Sequence, residues 1–226
     1  KIPIPPIYIQ EKIVSEVDKM EKLQDENINN LSSLQTQLLL PKYFSFETER
    51  IDKIAVMVQR GKSAKYGTSN IQIIKSGQAR GYTEFDFSIK HYVSDRFISD
   101  ERNLKKGDIL INSTGVGTAG RVTLFDLDGE FVADSHITIL RLDKNKALPK
   151  YVLYALANIG FKNIESMANG QSGQIELSLS TINAIRIPLP PLKKQIEIVS
   201  QIELIENEIK VLQTEIENVE ERKESI

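Results

Sequence analysis

The sequence predicts an α+β protein in which a mixed, strand-rich domain is flanked by two long helices that form an antiparallel coiled coil. A proline-rich segment occurs twice, as Ile-Pro-Ile-Pro-Pro-Ile at residues 2–7 and as Ile-Pro-Leu-Pro-Pro-Leu at residues 187–192. A heptad pattern of apolar residues follows each copy, and a repeat fixes architecture more firmly than local propensity does. The predicted segments are residues 1–41 (first proline entry and helix), 42–186 (strand-rich domain) and 187–226 (second proline entry and helix).

The helical seam that follows each proline segment has heptad spacing. Proline fixes φ and removes an amide donor, which suits the entry to a helix and not its interior. The first helix, from about residue 9 to residue 40, would be about 45 to 50 Å long at 1.5 Å per residue. Neither helix buries its apolar stripe alone, so we expect them to pair with each other. The predicted seam residues are Ile13, Val17, Met20, Leu31, Leu34, Leu38, Ile198, Ile202, Ile205, Ile209, Leu212, Ile216 and Val219.

Two polar residues, Gln24 and Asn27, interrupt the middle of the first seam. A polar residue at a seam position sets the register of paired helices, but the same two residues could be a weak point that a stronger partner helix tolerates. The alternative to the coiled coil is a pair of amphipathic helices that pack separately on the domain. An unbroken heptad phase without Gly or internal Pro favours the coiled coil.

Length, hydrophobic content and the absence of cysteine limit the classes of protein to which this chain can belong. A length of 226 residues with 40% hydrophobic residues allows one medium-sized domain plus the helices. The chain has no Cys, which excludes a disulfide framework, a thiolate metal site and a cysteine nucleophile, and makes the reducing cytoplasm the expected compartment. We find no signal peptide and no apolar run long enough to span a bilayer. A first residue of Lys suggests a trimmed chain.

Charge is distributed unevenly, although the net charge is only −2. Residues 53–83 contain six basic residues and no acidic residue. A basic surface of this kind attracts a phosphate backbone. For any single lysine, a solvated loop position with no role is the simpler interpretation.

The middle domain alternates predicted strands with polar, glycine-containing loops. Ile54, Val56 and Val58 alternate as in a strand over residues 51–58, and Leu177 and Leu179 do so over residues 175–179. Pro149 predicts the start of a helix that continues to residue 159. Further strands are predicted at residues 71–74, 109–111, 121–125 and 131–142, and the loops between elements at residues 61–68, 75–82, 112–121 and 169–174.

Two glycine-containing segments resemble nucleotide-binding loops but lack features that those loops require. Gly61-Lys62-Ser63 lacks the upstream glycine of a P-loop, because Val56 stands in its place. Gly115, Gly117 and Gly120 spell Gly-x-Gly-x-x-Gly after a strand, but the residues that follow are β-branched and aromatic, so a hairpin-like loop is predicted instead of a dinucleotide site.

His136 lies beside Asp134 and Ser135, which suggests a catalytic triad. Neighbours on one strand point to alternate faces and no nucleophile elbow is present, so we favour a structural or DNA-proximal histidine. With only His91 besides it, a histidine-based metal site is not expected, and no cofactor is predicted.

Four features in order resemble the specificity subunit of type I restriction-modification systems. They are Leu-Lys-Lys-Gly-Asp-Ile-Leu at residues 104–110, the glycine-rich turn at 113–122, Gly-Gln-Ser-Gly-Gln followed by Leu177-Ser178, and the second proline segment followed by Gln195 and the heptad helix. Between residues 53 and 102 the match is loose, where sequence preference would be encoded.

The resemblance implies a non-catalytic, cytoplasmic subunit. A target-recognition domain, similar to that of adenine methyltransferases, would read one half of a split site in double-stranded DNA. The helices would space two such domains and dock methyltransferase subunits, and through them the restriction subunit. This chain holds both helices but only one recognition domain, so it resembles either the second half of a subunit or a half-subunit that forms a homodimer.

The residues expected at the DNA face are polar or basic side chains of the loops. Arg and Lys suit guanine edges or phosphates, Gln suits adenine, and Tyr suits stacking. Two alternatives remain: a coiled-coil scaffold without specific DNA binding, and a nucleotide-dependent enzyme resting on the three glycines. The predicted DNA-binding residues are Lys62, Lys65, Tyr66, Lys75, Ser76, Gln78, Arg80, Tyr82, Asn112, Ser113, Thr114, Thr118, Arg121, Gln171, Ser172 and Gln174.

Overall fold

A computed structural model describes residues 4–38, 41–171 and 174–224 of the chain. The chain divides into two compact units, of which one comprises Lys1–Tyr43 with Val199–Ile226 and the other comprises Phe44–Ile198. The α-helices are α1 (Ile7–Leu38), α2 (Ile51–Ile54), α3 (Pro149–Ile159), α4 (Phe161–Glu165), α5 (Leu179–Ala184) and α6 (Leu192–Glu224). The strands are β1 (Thr48–Arg50), β2 (Ala55–Arg60), β3 (Gln72–Ile74), β4 (Ala79–Gly81), β5 (Glu84–Phe85), β6 (His91–Tyr92), β7 (Asp108–Asn112), β8 (Val122–Phe125), β9 (Phe131–Ala133), β10 (Ile137–Leu142), β11 (Asn169–Gln171), β12 (Gln174–Glu176) and β13 (Arg186–Pro188).

The helical unit is an antiparallel pair formed by α1 and the part of α6 from Val199 onward. Gln24 Nε2 donates to Glu220 Oε1 at 3.0 Å, and Asn27 Nδ2 donates to Glu215 Oε2 at 3.3 Å. Lys223 Nζ donates to Gln24 Oε1 at 3.1 Å. Because the partner number falls on α6 as it rises on α1, the helices run in opposite directions. The predicted antiparallel coiled coil is confirmed.

Burial along both helices follows the heptad. Every predicted seam residue is at least half-buried, whereas most residues between them are exposed. Asn27 is buried at 6% exposure, and Val219, in the same region of α6, is 5% exposed. The two polar seam residues therefore make hydrogen bonds across the helix pair, which satisfies groups that would otherwise be costly to bury.

The larger unit is built on a four-stranded antiparallel sheet in the order β2-β10-β7-β8. A three-stranded sheet in the order β6-β3-β9 accompanies it, and β3 pairs with β9 in parallel. Two-stranded pairs are formed by β1 with β13, β4 with β5, and β11 with β12. The β1–β13 pair joins the start of this unit to the strand that leads into the second proline segment.

The core between these sheets is aliphatic and aromatic. Its buried members include Leu110, Ile139 and Ile74, and the rings of Phe125 and Phe131 meet edge-on with centroids 5.3 Å apart. One ion pair is also interior: Arg141 Nη2 lies 2.7 Å from Asp108 Oδ2, whose side chain is 1% exposed. Arg141 also donates to backbone carbonyls, so the charges are hydrogen-bonded as burial requires.

Two predicted strands are partly helical. Residues 51–54 form the single turn α2, and the strand begins only at Ala55. Ile51 and Ile54 are both buried, and their spacing of three places them on one face of a helical turn. Leu179 likewise begins α5, which Ser178 caps by accepting from Thr181 N. The helix predicted from Pro149 is present as α3.

Candidate nucleic-acid interface

The strand topology brings four loops to one edge of the larger unit. Since β3 and β9 are parallel, the residues that follow them, Lys75 and Asp134, lie side by side, and Asp134 N donates to Ile74 O at 2.9 Å. The loop after β2 joins them, because Lys62 N donates to Ala133 O at 2.8 Å. The loop after β7 joins them through Ser113 N, which donates to His136 O at 2.8 Å. We call this surface the loop edge and define it as residues 61–66, 75–82, 112–121 and 134–136.

One cleft of the loop edge is polar and has a volume of about 210 Å³. Lys75 Nζ donates to the hydroxyl of Tyr66 at 2.9 Å, and the Tyr66 ring stacks on His91 with centroids 5.1 Å apart. Tyr66 remains 59% exposed. The hydroxyls of Ser63 and Ser135 meet across the cleft at 2.9 Å. The cleft therefore presents a cation, a stacked aromatic ring and hydroxyl groups together.

Asp134 and His136 line the same cleft. Asp134 Oδ1 accepts from His136 N at 2.9 Å, and burial raises the pKa of the Asp134 carboxyl above its ordinary value. His136 Nδ1 lies 2.8 Å from Thr114 Oγ1. Asp134 and Ser135 were not among the predicted contact residues, because no local pattern shows that β9 pairs with β3.

The glycine-rich loop, residues 112–121, connects β7 to β8 as an antiparallel hairpin. Gly115, Gly117 and Gly120 all have positive φ. Gly120 also allows close approach to α4, since a Cβ there would lie 2.8 Å from Glu165 N and 3.0 Å from Phe161 O. The glycines serve turns and close backbone contact, as the hairpin interpretation of the sequence requires.

Hydrogen bonds hold the tip of this loop from several directions. Thr118 Oγ1 donates to Thr114 O at 2.8 Å, and Gly115 N donates to Ile175 O at 3.1 Å. Glu165 Oε1 accepts from Gly117 N. Hydrogen bonding to Lys162 and to the Gly117 amide lowers the pKa of the Glu165 carboxyl. The loop is thus fixed to α4 and to the β11–β12 hairpin, and Val116 at its tip is 61% exposed.

A second cleft, the arginine cleft, has a volume of about 350 Å³. Its rim is formed by Arg80, Tyr82 and Arg121, and its wall includes Leu156 and Phe161. Arg80 Nη2 lies 2.7 Å from Asp86 Oδ2, and this hydrogen bond lowers the pKa of the Asp86 carboxyl. Arg121 Nη2 donates to Gly117 O at 3.3 Å. Both guanidinium groups are therefore positioned by other side-chain or backbone groups at the rim.

Four predicted contact residues have side chains that are already bonded within the protein. Asn112 and Ser113 are both 0% exposed; Asn112 Nδ2 donates to Ser76 O at 2.8 Å and the Ser113 hydroxyl meets Thr138 Oγ1 at 2.7 Å. Gln78 is 8% exposed, and its amide bonds to the backbone at Lys75 and Ile89. These three side chains hold the loops together from inside instead of lying at the surface.

Lys62 is the fourth. Its Nζ lies 2.6 Å from Asp100 Oδ2, donates to Ile98 O at 2.8 Å and sits 4.9 Å from the Phe97 ring centroid. With 18% of the side chain exposed, Lys62 is anchored in a local cluster. The contact between Lys62 and Asp100 is not visible in the sequence, because the two residues lie far apart along the chain.

The other predicted residues lie at or next to the surface of the loop edge. Lys65, Arg80 and Tyr82 are exposed, whereas Ser76, Thr114, Thr118 and Arg121 are partly buried. Lys75 is partly buried in the polar cleft. Ser172 and the side chains of Gln171 and Gln174 lie outside the described residues. The backbone of their hairpin is described, and Arg60 Nη2 reaches Glu176 Oε1 within it at 2.7 Å.

Among residues 4–38, 41–171 and 174–224, no three acidic or histidine side chains are grouped so that they could hold a metal ion. No helix in these same ranges has both the length and the apolar character needed to cross a membrane.

The chain is similar in sequence to a known protein family and to two of its members. A family model described as the type I restriction modification DNA specificity domain matches residues 57–221. A putative type I restriction enzyme specificity subunit of Haemophilus influenzae is 30% identical over 222 residues, covering 91% of this chain and 55% of that protein. The putative type I restriction enzyme MjaX specificity subunit of Methanocaldococcus jannaschii is 26% identical, covering 80% of this chain and 44% of that protein. The chain spans about half the length of the curated relatives it matches.

Solved structures show the same fold. The HsdS subunit of Thermoanaerobacter tengcongensis superposes with a TM-score of 0.69 at 16% identity, covering 99% of this chain and 58% of that one. A structure concerning complex assembly and conformational transition of the type I R-M system gives the same values. At this identity the likeness concerns the fold alone.

Proposed function

Because the chain belongs to the family of type I restriction modification DNA specificity domains, we propose that it reads DNA sequence as the non-catalytic subunit of a type I restriction-modification enzyme. With one strand-rich domain, it reads one half of a split target. The single observation that carries the proposal is the loop edge, where four loops from distant parts of the sequence meet and present cationic, aromatic and hydroxyl groups.

Charge at the loop edge supports contact with a phosphate backbone. Lys65, Lys75, Arg80 and Arg121 all belong to it. Lysine and arginine that neutralise phosphates release counterions, which contributes sequence-independent affinity and makes binding depend on salt. The acidic groups nearby are engaged locally, since Asp86 pairs with Arg80 and Asp134 accepts from the His136 amide.

Sequence reading requires side chains whose polar atoms can reach base edges. Arginine pairs with guanine through two donors, and hydroxyl groups accept from or donate to several bases. We assign this role to Arg80, Arg121 and Thr114. Asn112, Ser113, Gln78 and Lys62 act as supports that fix the loops, because their side chains are already bonded within the protein. A rigid support for the contacting groups reduces the entropy lost on binding.

The helical unit is proposed to dock methyltransferase subunits. A groove of about 640 Å³ runs along it, lined by Leu34 of α1 and by Leu204, Val211 and Leu212 of α6. Leu204 is 64% exposed and Val211 is 57% exposed. Exposed apolar surface in a groove is typical of a protein-binding site. Since the chain spans about half of its curated relatives, we also propose that a second recognition domain comes either from the same subunit or from a second copy.

The groove also favours a second candidate function, which is a scaffold that binds a partner protein without reading DNA. The two functions differ in their response to salt. For a DNA reader, log K falls with log salt by about 0.9 per neutralised phosphate. A protein scaffold shows no salt-dependent binding to duplex DNA.

Replacing Lys75 tests the proposal directly. Lys75→Ala should weaken binding to duplex DNA and reduce the salt slope by about 1, because one phosphate contact is lost. Lys144→Ala is the matched control: Lys144 is exposed and lies beyond the opposite end of β10 from His136. Fluorescence anisotropy across a salt series measures both. Equal slopes for Lys75→Ala and the wild type would remove Lys75 from the interface, and no binding by the wild type would favour the scaffold.

A further inference from the structure

We propose that the arginine cleft holds a single base unstacked from duplex DNA, with the Tyr82 ring against the face of that base. This inference rests on the proposed DNA-reading function and extends it, because it specifies the form of DNA that the site takes. It concerns a cavity of about 350 Å³, with Arg80, Tyr82 and Arg121 at its rim.

The backbone at Tyr82 is unusual. Among the described residues, Tyr82 is the one non-glycine residue with positive φ, at +51°, and Gly81 before it has φ +112°. An aromatic residue rarely adopts this left-handed conformation, and such residues cluster at functional sites. The unusual backbone conformation of Tyr82 therefore points to a functional role for its side chain.

Surrounding hydrogen bonds impose this conformation. Tyr82 N donates to Val122 O at 2.9 Å, and Leu124 N donates to Tyr82 O at 2.6 Å. Gly81 N donates to the hydroxyl of Thr123, a residue that is 0% exposed, at 3.0 Å. Both the amide and the carbonyl of Tyr82 are therefore hydrogen-bonded to β8, while 53% of the residue surface is exposed. The fold fixes the backbone of Tyr82, and more than half of the residue is exposed at the rim of the cleft.

The lining chemistry fits a nucleotide better than a simple anion or an apolar side chain. The wall contains Ala157 and Phe161, both partly buried, which suit the flat, weakly polar face of a base. The two guanidinium groups at the rim suit the base edges and the phosphates of an extruded nucleotide. An inorganic anion would gain nothing from the apolar wall, and an apolar side chain would gain nothing from the two cations.

The affinity gained by stacking a base on Tyr82, less the cost of unstacking that base from the duplex, sets the expected difference in DNA affinity. Stacking of a base on an aromatic side chain corresponds to roughly a five- to 160-fold gain in affinity. Unstacking a base from a paired duplex opposes binding, and the opposition is least where the base is already unpaired. A cleft that holds an unstacked base should therefore prefer DNA in which one base is unpaired from the start.

The test compares two duplexes of the same sequence, one fully paired and one with a single unpaired adenine. The wild type should bind the bulged duplex at least about ten-fold more tightly. Tyr82→Asn should lose most of the preference for the bulge over the paired duplex, because asparagine tolerates positive φ but supplies no ring. Tyr82→Phe should keep the preference, since it retains the ring.

Two further variants make the result interpretable. Ala157→Phe fills the cleft from α3 without altering Tyr82, and should also remove the preference. Tyr8→Ala is the matched control, because Tyr8 is an exposed tyrosine of α1 at 67% exposure, and it should leave both affinities unchanged. Thermal melting of each variant shows that it is folded.

Each outcome bears on a different statement. If the wild type binds the paired duplex with salt dependence but shows no preference for the bulge, the base-holding role is wrong and DNA reading stands. Persistence of the preference in both folded Tyr82→Asn and folded Ala157→Phe would place the unpaired base elsewhere. If neither duplex is bound, the proposed function itself fails.

Discussion

At the scale of single residues, the loop edge separates side chains that support the loops from side chains that reach solvent. Asn112 is wholly buried and donates to the carbonyls of Ser76 and Ala79, thereby tying the glycine-rich loop to the loop after β3. Lys65 and Tyr82 are exposed on the same surface. The sequence predicts DNA contact for Asn112, Lys65 and Tyr82 alike. Residue type indicates what a side chain can bind and not which direction it faces.

Asp134 gives a residue-scale prediction about pH. Burial raises the pKa of its carboxyl in the folded protein, so between the unfolded pKa and this raised value the folded state binds more protons than the unfolded state. The contribution of Asp134 to the free energy of unfolding therefore falls as pH rises through that window. Urea denaturation from pH 3.5 to 7 should show the stability of the wild type, relative to Asp134→Asn, declining with pH.

The control for this measurement is Asp128→Asn. The Asp128 side chain is 95% exposed and lies in the turn between β8 and β9, away from the loop edge. The stability difference between the wild type and Asp128→Asn should show no comparable decline. A rising difference for Asp134→Asn would mean that hydrogen bonds to its ionised form outweigh burial.

At the scale of elements, the helices were the most predictable part of the chain. Heptad spacing is a local pattern, and the positions that it selects on α1, including Gln24 and Asn27, are those that face α6. The turn α2 was mistaken for a strand, because Ile54 fits an alternating pattern with Val56 and Val58 as well as it fits a helical spacing with Ile51. Short apolar segments leave this ambiguity.

Strand pairing was not predictable from the sequence. The parallel pairing of β3 with β9 joins segments that lie far apart in the chain, and no sequence periodicity records the partner of a strand. This pairing places Lys75 next to Asp134 and creates the polar cleft. The loops that carry the candidate site were thus identifiable one by one, and their convergence at one edge was not.

The polar layer of the coiled coil yields an element-scale prediction. Asn27 is 6% exposed and bonds to Glu215, so replacing it by leucine exchanges one hydrogen bond for apolar burial. A leucine gains about 1.5 to 3 kcal/mol on burial and the lost bond costs about 1 kcal/mol, so Asn27→Leu should stabilise the helix pair by about 1 kcal/mol. Melting followed by circular dichroism at a helix-sensitive wavelength measures the shift.

The same substitution at a neighbouring exposed position provides the comparison. Asn29 is exposed on α1, so Asn29→Leu adds no buried surface and should leave the melting temperature nearly unchanged. A fall in melting temperature for Asn27→Leu would show that the bond to Glu215 contributes more than seam burial, and that the polar layer is a source of stability as well as of register.

At the scale of the whole molecule, each duplicated proline segment leads into one of the two paired helices. The strand-rich unit, Phe44–Ile198, begins after the first copy and its helix and includes the second copy, and the helices that follow the two copies pair with each other. The chain belongs to the DNA specificity family and spans about half the length of the curated relatives it matches.

The most direct test of DNA reading is selection of bound duplexes from a pool with a randomised central region, using the purified chain. The bound duplexes should be enriched in one short sequence element. Lys75→Ala should lower the amount of duplex recovered without changing that element. Enrichment of two inverted copies of the element at constant spacing would indicate that the chain reads DNA as a homodimer. Recovery of a pool with no enriched element, at a salt concentration where the protein still binds DNA, would contradict the claim that it reads sequence.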